Sequence, residues 1–519
     1  MTTLYKRFGS FVKGVLSGFD RIVFKGSIRP LMYEESVVGF LRRRKILNKD
    51  YKSWMRVQSN RIAEDAESLV HEECGGKVEP ILYSKTKKEG LARRRQEALS
   101  LTEGLIGIWS ATELCNSYRA FFAKGQSRPV IRRNKTKCKH LYYYLDHQDY
   151  GLMHIRLQTW FPFNIQVAMN GREWLRRGLE REGIGFDVHQ NKFLHIDDMN
   201  QAQRLLDAQL DVNWPDLLNG FLPIAFPSMT SILGPDLSYY WTLWQSEWAT
   251  DHLFASPQAL SSVASQLLQH ALVTGTYERV LRYMDRPFTK AGEPYASNRN
   301  DVSSRPLIYQ DGVRVKHWVD TNSVKAYTEQ NNLRVETTMN APGMFKVYRH
   351  KEGDPEDAPK ERRPMRKGVA DIPLRAKISQ QINDKVIKQL DTCQMETPLE
   401  ETFEGICRRM ICKGRAYRAL APIGKDRELL LAIGDPAFAV SGITNRKLRQ
   451  NLKFTVAGLS QKQAAAKLSR LLRLLRQHGL IAKYPKQRRY RLTVRGMKIT
   501  TSLAVALHSS TKRLMEIAA

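Results

Sequence analysis

The hydrophobic pattern changes period several times along the chain, and each change predicts an element. Near the N-terminus, Ile22-Val23-Phe24 reads as a short strand and Glu34 to Arg44 as a helix. Val78 to Tyr83 then reads as a strand, Lys88 to Ser100 as a basic helix, Gly104 to Trp109 as an apolar strand and Thr112 to Phe122 as a helix. Alternation of this kind predicts a small parallel α/β unit. Strict alternation returns at His140–Leu145, Leu152–Trp160 and Asn164–Met169, three strands followed by a helix over Glu173–Arg181. Residues 197–285 read as mostly helical, with Trp241, Trp244 and Trp248 at helical spacing. Val313–Val319, Ser323–Thr328, Leu333–Met339 and Phe345–Tyr348 read as an antiparallel meander, with tight turns at Asp320-Thr321-Asn322 and Gln330-Asn331. Residues 349–368 are charged, rich in proline and without period, which predicts a linker; a helix follows over Arg375–Leu390.

The last hundred residues are patterned most sharply. A short helix in SGITNRKLRQNLKF precedes a long one. Ser460 and Gln463 have the spacing of a capping box. Ala464, Leu468, Leu471, Leu472 and Leu475 form an apolar stripe, with Gln463, Lys467, Arg470, Arg473 and Gln477 on or beside the opposite face. His478-Gly479 ends that helix. Leu480–Tyr484 and Arg489–Leu492 read as two strands around a turn at Pro485-Lys486-Gln487, and Thr493 as the N-cap of a last helix. This order predicts a winged helix-turn-helix, with Gln463, Lys467, Arg470 and Arg473 toward base edges and phosphates and Lys486, Arg488, Arg489 and Arg491 arming the wing.

The expected architecture is therefore a multidomain α+β and α/β chain: an α/β unit over 1–127, a central mixed sheet over 128–348 with a helical insertion at 197–285, a charged linker and helix over 349–404, and a basic winged helix over 405–519. From roughly Lys425 to Leu507, carried by HGLIAK and YRLTVRG, the chain resembles the winged-helix domain of MarR-type bacterial regulators. The resemblance implies duplex DNA as partner and a homodimer as the working assembly, although no zipper-like segment flanks the motif. The stretches GFDRIVFKGSIRPL, RLQTWFPFNIQVAMNGREWL and YYWTLWQSEWATD resemble a family of bacterial proteins of about this length, which implies no mechanism.

Charge sharpens this picture. The 519 residues carry a net charge of +31, and residues 405–519 hold 25 of the 83 Lys and Arg but only 4 of the 52 Asp and Glu. About two thirds of the excess thus sits in the expected reader itself, which predicts nucleic-acid binding: DNA first, structured RNA as the alternative. No stretch approaches the ~20 apolar residues of a membrane span, and the N-terminus lacks a signal-peptide pattern. The six cysteines show no paired spacing, so neither a zinc site nor a disulfide framework is expected, and their usage suits a cytoplasmic protein.

Candidate chemistry lies in the centre. In HIRLQTW, His154, Arg156 and Gln158 share one strand face, a poor core and a plausible groove or active-site floor. The order of Lys325, Tyr327, Arg334 and Glu336 is similar to the paired core strands of filamentous-phage-type rolling-circle replication initiators. That likeness, carried by Lys325, Tyr327, Arg334 and Glu336 alone, implies a tyrosine nucleophile, Tyr327, and a carboxylate, Glu336, beside a divalent metal, magnesium or manganese; the enzyme reading adds His154, and Arg156, Lys325 and Arg334 are candidate nucleic-acid contacts. The His-hydrophobe-His motif of those enzymes is absent, because Arg156 stands where the second histidine belongs. Asp20, at the start of a strand in GFDRIVF, is a lone acid of the kind metal-dependent nucleases use, and His140, His147 and His154 recur every seven residues without one helix to align them. No other cofactor motif occurs: Walker, Rossmann, HExxH and GxSxG patterns are all missing. Three readings follow: a DNA-binding protein linked to a mobile element or plasmid, a metal-dependent DNA-nicking enzyme, and a non-enzymatic regulator or binder of structured RNA.

Overall fold

The computed structural model describes residues 11–508 except 84, 123, 126–127, 262–276, 287–301, 310–311, 352, 356, 392–398, 413, 436–437, 439–441, 453–456 and 485–486. The fold is α+β with a large mixed sheet. Contacts divide it into two compact units that are discontinuous in sequence: residues 16–249 with 338–379, and residues 1–15 with 250–337 and 380–519.

In the first unit, the sheet is built from β1 (Val12–Ser27, from Leu16 onward), β2 (Gly104–Phe121), β3 (Val130–His147), β4 (Gly151–Gln158), β5 (Ile165–Asn170) and β6 (Tyr240–Phe254, as far as Ala249). The order across the sheet is β6-β1-β5-β4-β3-β2, with Glu79–Pro80 beyond β2. Neighbours from β1 to β2 pair antiparallel, and only Glu79–Pro80 runs parallel to its partner. The parallel α/β unit expected at the N-terminus survives only as the short crossover from Glu79–Pro80 through α2 (Lys88–Leu99) to β2; the rest of this sheet is antiparallel, with α1 (Tyr51–Cys74) packed against it. Thr112–Phe121, in the segment read as a helix, continues β2, and the basic stretch from Val130 to Lys139 opens β3.

Alternation along these strands divides the sheet into two faces. Phe24, Leu141, Tyr143, Ile155, Leu157, Ile165 and Val167 enter one core with Tyr51, Met55, Ile62, Ala66 and Val70 of α1. The α1 residues recur at helical spacing, so one stripe of the helix covers the apolar face. The helix α3 (Gly171–Glu182) starts at Asn170, whose side chain accepts from the Arg172 amide. The segment 240–251, expected to be helical, lies in the strand β6, with Trp241 and Trp248 in the same core.

The second unit contains β7 (Val302–Tyr309), β8 (Gly312–Val319), β9 (Asn322–Glu329) and β10 (Asn332–Met339, to Thr337), in that order. Asp320 and Gln330 take φ of 55° and 54°, as the tight turns of the expected meander require. The strand β7 precedes the meander without having been expected. In the first unit, Lys346–Arg349 pairs with Glu361–Pro364, inside the segment read as linker, instead of joining the meander. The helix α4 (Ile372–Asp391) follows close to its expected place.

The C-terminal part of the second unit holds α5 (Asn445–Asn451), α6 (Gln461–Gln477), β11 (Ile481–Lys483), β12 (Tyr490–Leu492) and α7 (Val494–His508). Among the described residues, no helix is long and apolar enough to cross a membrane.

Candidate nucleic-acid interface

The C-terminal segment forms local structure where its residues predict it. Ser460 accepts from the Gln463 amide and Gln463 Oε1 accepts from the Ser460 amide, a complete capping box on α6. Ala464, Leu468, Leu472, Leu474 and Leu475 are buried, and Leu468, Leu472 and Leu475 meet Leu448, Leu480, Ile499 and Leu503 in one core. Asn445 donates to the Ala465 carbonyl (2.9 Å) and to Ser469 Oγ (3.1 Å), which ties α5 to α6. Gly479 closes α6 with φ of 72°. Ile443 and Tyr490 exchange backbone hydrogen bonds of 2.7 and 2.9 Å, adding a bridge to the β11–β12 hairpin. Thr493 Oγ1 accepts from the Gly496 amide at the start of α7. A Cβ at Gly496 would collide with the Leu480 carbonyl, so the close approach of α7 to the hairpin requires glycine.

Packing leaves the cations outside. Gln463, Lys467, Arg470 and Arg473 are exposed on α6, together with Lys462 and Arg476. Arg488, Arg489 and Arg491 are exposed on the hairpin, and Arg491 stands 3.6 Å from Glu278. Lys486 lies outside the described residues. Gln463 spends one oxygen on its cap and keeps its amide NH2 group for another partner.

The second concentration of polar groups is the face of the first unit's sheet opposite its apolar core. Cross-strand pairing aligns Trp109, Tyr142, Arg156, Gln166 and Lys25 in one row over five strands. Arg156 sits at its centre, donating to Glu113 (2.6 Å), the Tyr142 hydroxyl (3.0 Å) and Gln166 (3.3 Å). Burial opposes the charge of Glu113, but hydrogen bonds from Tyr142 and Arg156 outweigh it and hold the carboxyl below its usual range. Burial, reinforced by Arg156, lowers the Lys25 ammonium from its usual value. Lys25 and Lys367 lie 5.0 and 4.2 Å from the ring of Trp244, which is 42% exposed. A cavity of about 590 Å³ opens beside this row, lined by Lys25, Asn116, Tyr118, Arg133, Lys135 and Asn164 among others, with no carboxylate in its wall among the described residues.

His154 shares the expected face with Arg156, stacked on Tyr144 at 5.2 Å, and burial drops its imidazole to about 4, so it is neutral at pH 7. His140, His147 and His154 are not gathered into one metal-binding group. Asp20 has a partner that sequence reasoning missed: its carboxylate and that of Glu247 on β6 approach within 4.8 Å. Asn191 donates to Asp20 and is itself held by Asn170 (2.8 Å). Glu113, a missed residue, and Glu247, whose approach to Asp20 was not foreseen, both lie on segments read as helices. The signal that could have found them was alternation across 112–122 and 240–249.

In the second unit, the structure brings Lys325, Tyr327 and Glu336 together. Lys325 Nζ is 2.7 Å from Glu336, and the Tyr327 hydroxyl donates to Glu336 at 3.4 Å. His154 belongs to the first unit, so the expected trio of Tyr327, Glu336 and His154 is not assembled within either unit. Arg334 is not a surface cation: it is 1% exposed and grips Asp251 through two hydrogen bonds of 2.5 and 2.9 Å. A phosphate could reach it only by displacing a buried carboxylate.

No protein-family model, curated protein or solved structure matches this chain.

Proposed function

We propose that the chain binds nucleic acid, duplex DNA foremost, with residues 443–508 acting as a winged helix and α6 as the reading helix. The observation that carries this reading is the division of α6 and its hairpin. A leucine stripe is sealed in the core, while Lys462, Lys467, Arg470, Arg473, Arg476, Arg488, Arg489 and Arg491 all remain exposed. A face of this kind neutralises phosphates, and each neutralised phosphate releases counterions. The test is fluorescence anisotropy of the full chain with labelled duplex, single-stranded DNA and RNA across a salt series. Arg470→Glu with Arg473→Glu, and separately Arg488→Glu with Arg489→Glu, are expected to weaken duplex binding at least ~10-fold and to flatten the salt dependence. Unchanged duplex affinity in both variants would sink the reading, and preference for RNA over duplex would reassign the partner.

A second reading, metal-dependent cleavage of a phosphodiester, is favoured by the closeness of the Asp20 and Glu247 carboxylates, since paired acids are how magnesium or manganese is held at such centres. Supercoiled plasmid with manganese is expected to be nicked by the native chain and left intact by Asp20→Asn, with duplex binding unaltered. Absence of nicking by the native chain removes this reading. A covalent adduct lost only in Tyr327→Phe would move the chemistry to Tyr327 and Glu336.

A further inference from the structure

We propose that the first unit carries a second nucleic-acid site, built for an unpaired strand: the cavity beside Lys25 together with the basic track that leads from Lys25 past Trp244 to Lys367. The cavity holds about 590 Å³, within the ordinary range of small-ligand sites and far too narrow for a duplex. Strand pairing builds its wall. Asn116 pairs with Lys135, Ser117 with Asn134 and Tyr118 with Arg133 across β2 and β3, while Lys25 comes from β1 and Asn164 from the entry to β5. This wall offers donors with little to receive them. Among the described residues, Lys25 and Lys135 have no carboxylate partner, and the side-chain amides of Asn116 and Asn134 have no hydrogen-bond partner. Asn164 accepts from Ser27 Oγ (3.2 Å) and keeps its NH2 group for another partner. The acids beside the wall are already engaged. Glu34 receives Arg132 (2.7 Å) and the Arg133 amide (2.8 Å), and Glu113 receives Arg156 and Tyr142.

The track continues the same imbalance. Lys25 and Lys367 stand 5.0 and 4.2 Å from the Trp244 ring, and among the described residues Lys367 also has no carboxylate partner. The Lys367 carbonyl accepts from the Leu243 amide (2.8 Å), and the Leu243 carbonyl accepts from Arg375 (2.5 Å). Arg375 is 1% exposed and otherwise donates to Ser246 Oγ (2.8 Å) and the Met339 carbonyl, all neutral acceptors. Burial lowers Lys25 and Lys367 from their usual values. Arg156 lowers the first further, and Arg375 and Lys25 the second. Cations that repel one another without an acid to separate them call for an anion. A single anionic group would answer one end only. A phosphodiester chain brings one charge per nucleotide, so it meets the cavity and the track together. Trp244, 42% exposed beside both ammonium groups, offers a ring to an unpaired base.

The site does not involve the winged helix, and the experiment separates the two on the full chain. Lysine acetylation is read by mass spectrometry with and without saturating oligothymidylate or oligouridylate. Lys25, Lys135 and Lys367 are expected to be protected at least ~5-fold by a strand and left reactive by a duplex of equal length. Protection by either strand supports the site, and the stronger of the two tells DNA from RNA. This readout uses the native protein and depends on no variant folding. The same protection is expected in the chain carrying Arg470→Glu and Arg473→Glu, so failure of the winged helix would leave this site standing. In that background, Lys25→Gln with Lys367→Gln should weaken strand binding at least ~10-fold by fluorescence anisotropy. Lysines equally reactive with and without a strand would overturn the proposal. So would equal protection by a duplex or by a free nucleoside monophosphate.

Discussion

At the scale of single residues, the decisive events are buried charges that find partners. Asp251 and Arg334 are 0 and 1% exposed, and Asn332 supports the carboxylate at 3.1 Å. Removing one partner strands the other charge away from water. Asp251→Ala is therefore expected to lower stability by about 3–5 kcal/mol, whereas replacing both residues with leucine should cost much less. Urea unfolding of the two variants checks this; equal losses in the single and double variants would mean that packing, not charge, is at stake. Arg334 also shows where sequence pattern misleads. Its alternation with Val335 predicts a solvated ladder, but every residue of β10 is buried, so neither face of that strand meets solvent. Arg156 is the opposite case. Its polar face was legible from HIRLQTW, because β4 is half-buried and alternates cleanly. Its partner Glu113 was not legible, since only pairing across β2, β3 and β4 brings it near.

At the scale of elements, legibility follows how much of the structure is local. The capping box, the Gly479 turn and the leucine stripe of α6 involve residues a few positions apart, and each forms as its spacing predicts. Ser460→Ala should cost about 1 kcal/mol of local stability, seen as roughly 5-fold faster amide exchange over Gln461–Ala464. Unaltered exchange there would show that α6 is held by its core alone. Strands β2 and β6 illustrate the contrary case. Trp241, Trp244 and Trp248 repeat at three and four residues, which fits a helix, yet the segment is extended. Its place beside β1 is decided by pairing with a strand more than two hundred positions earlier, a contact no local period encodes.

At the scale of the molecule, buried histidines set a limit on the acid side. Burial brings His154 in one unit and His317 in the other down from 6.5 to about 4. A histidine neutral in the folded chain and charged in the unfolded one stabilises fully above pH 6.5, and that contribution is lost as pH falls from 6.5 to 4. Each accounts for up to about 3 kcal/mol. Denaturant midpoints should fall through this window, and His317→Gln should make the fall shallower; identical pH profiles would exclude His317 as a source. The whole-chain view also separates two kinds of determination. The concentration of positive charge in the last fifth of the chain, and the helix, hairpin and helix that display it, follow from the amino-acid order alone, because charge is additive and these elements rest on neighbours in the chain. The antiparallel sheet and the approach of Asp20 to Glu247 come from long-range packing. So do the Arg156 row and the place of Lys25 between the cavity and Trp244. Each of these depends on which strands lie side by side, and backbone pairing can join strands at any separation without leaving a mark on either one.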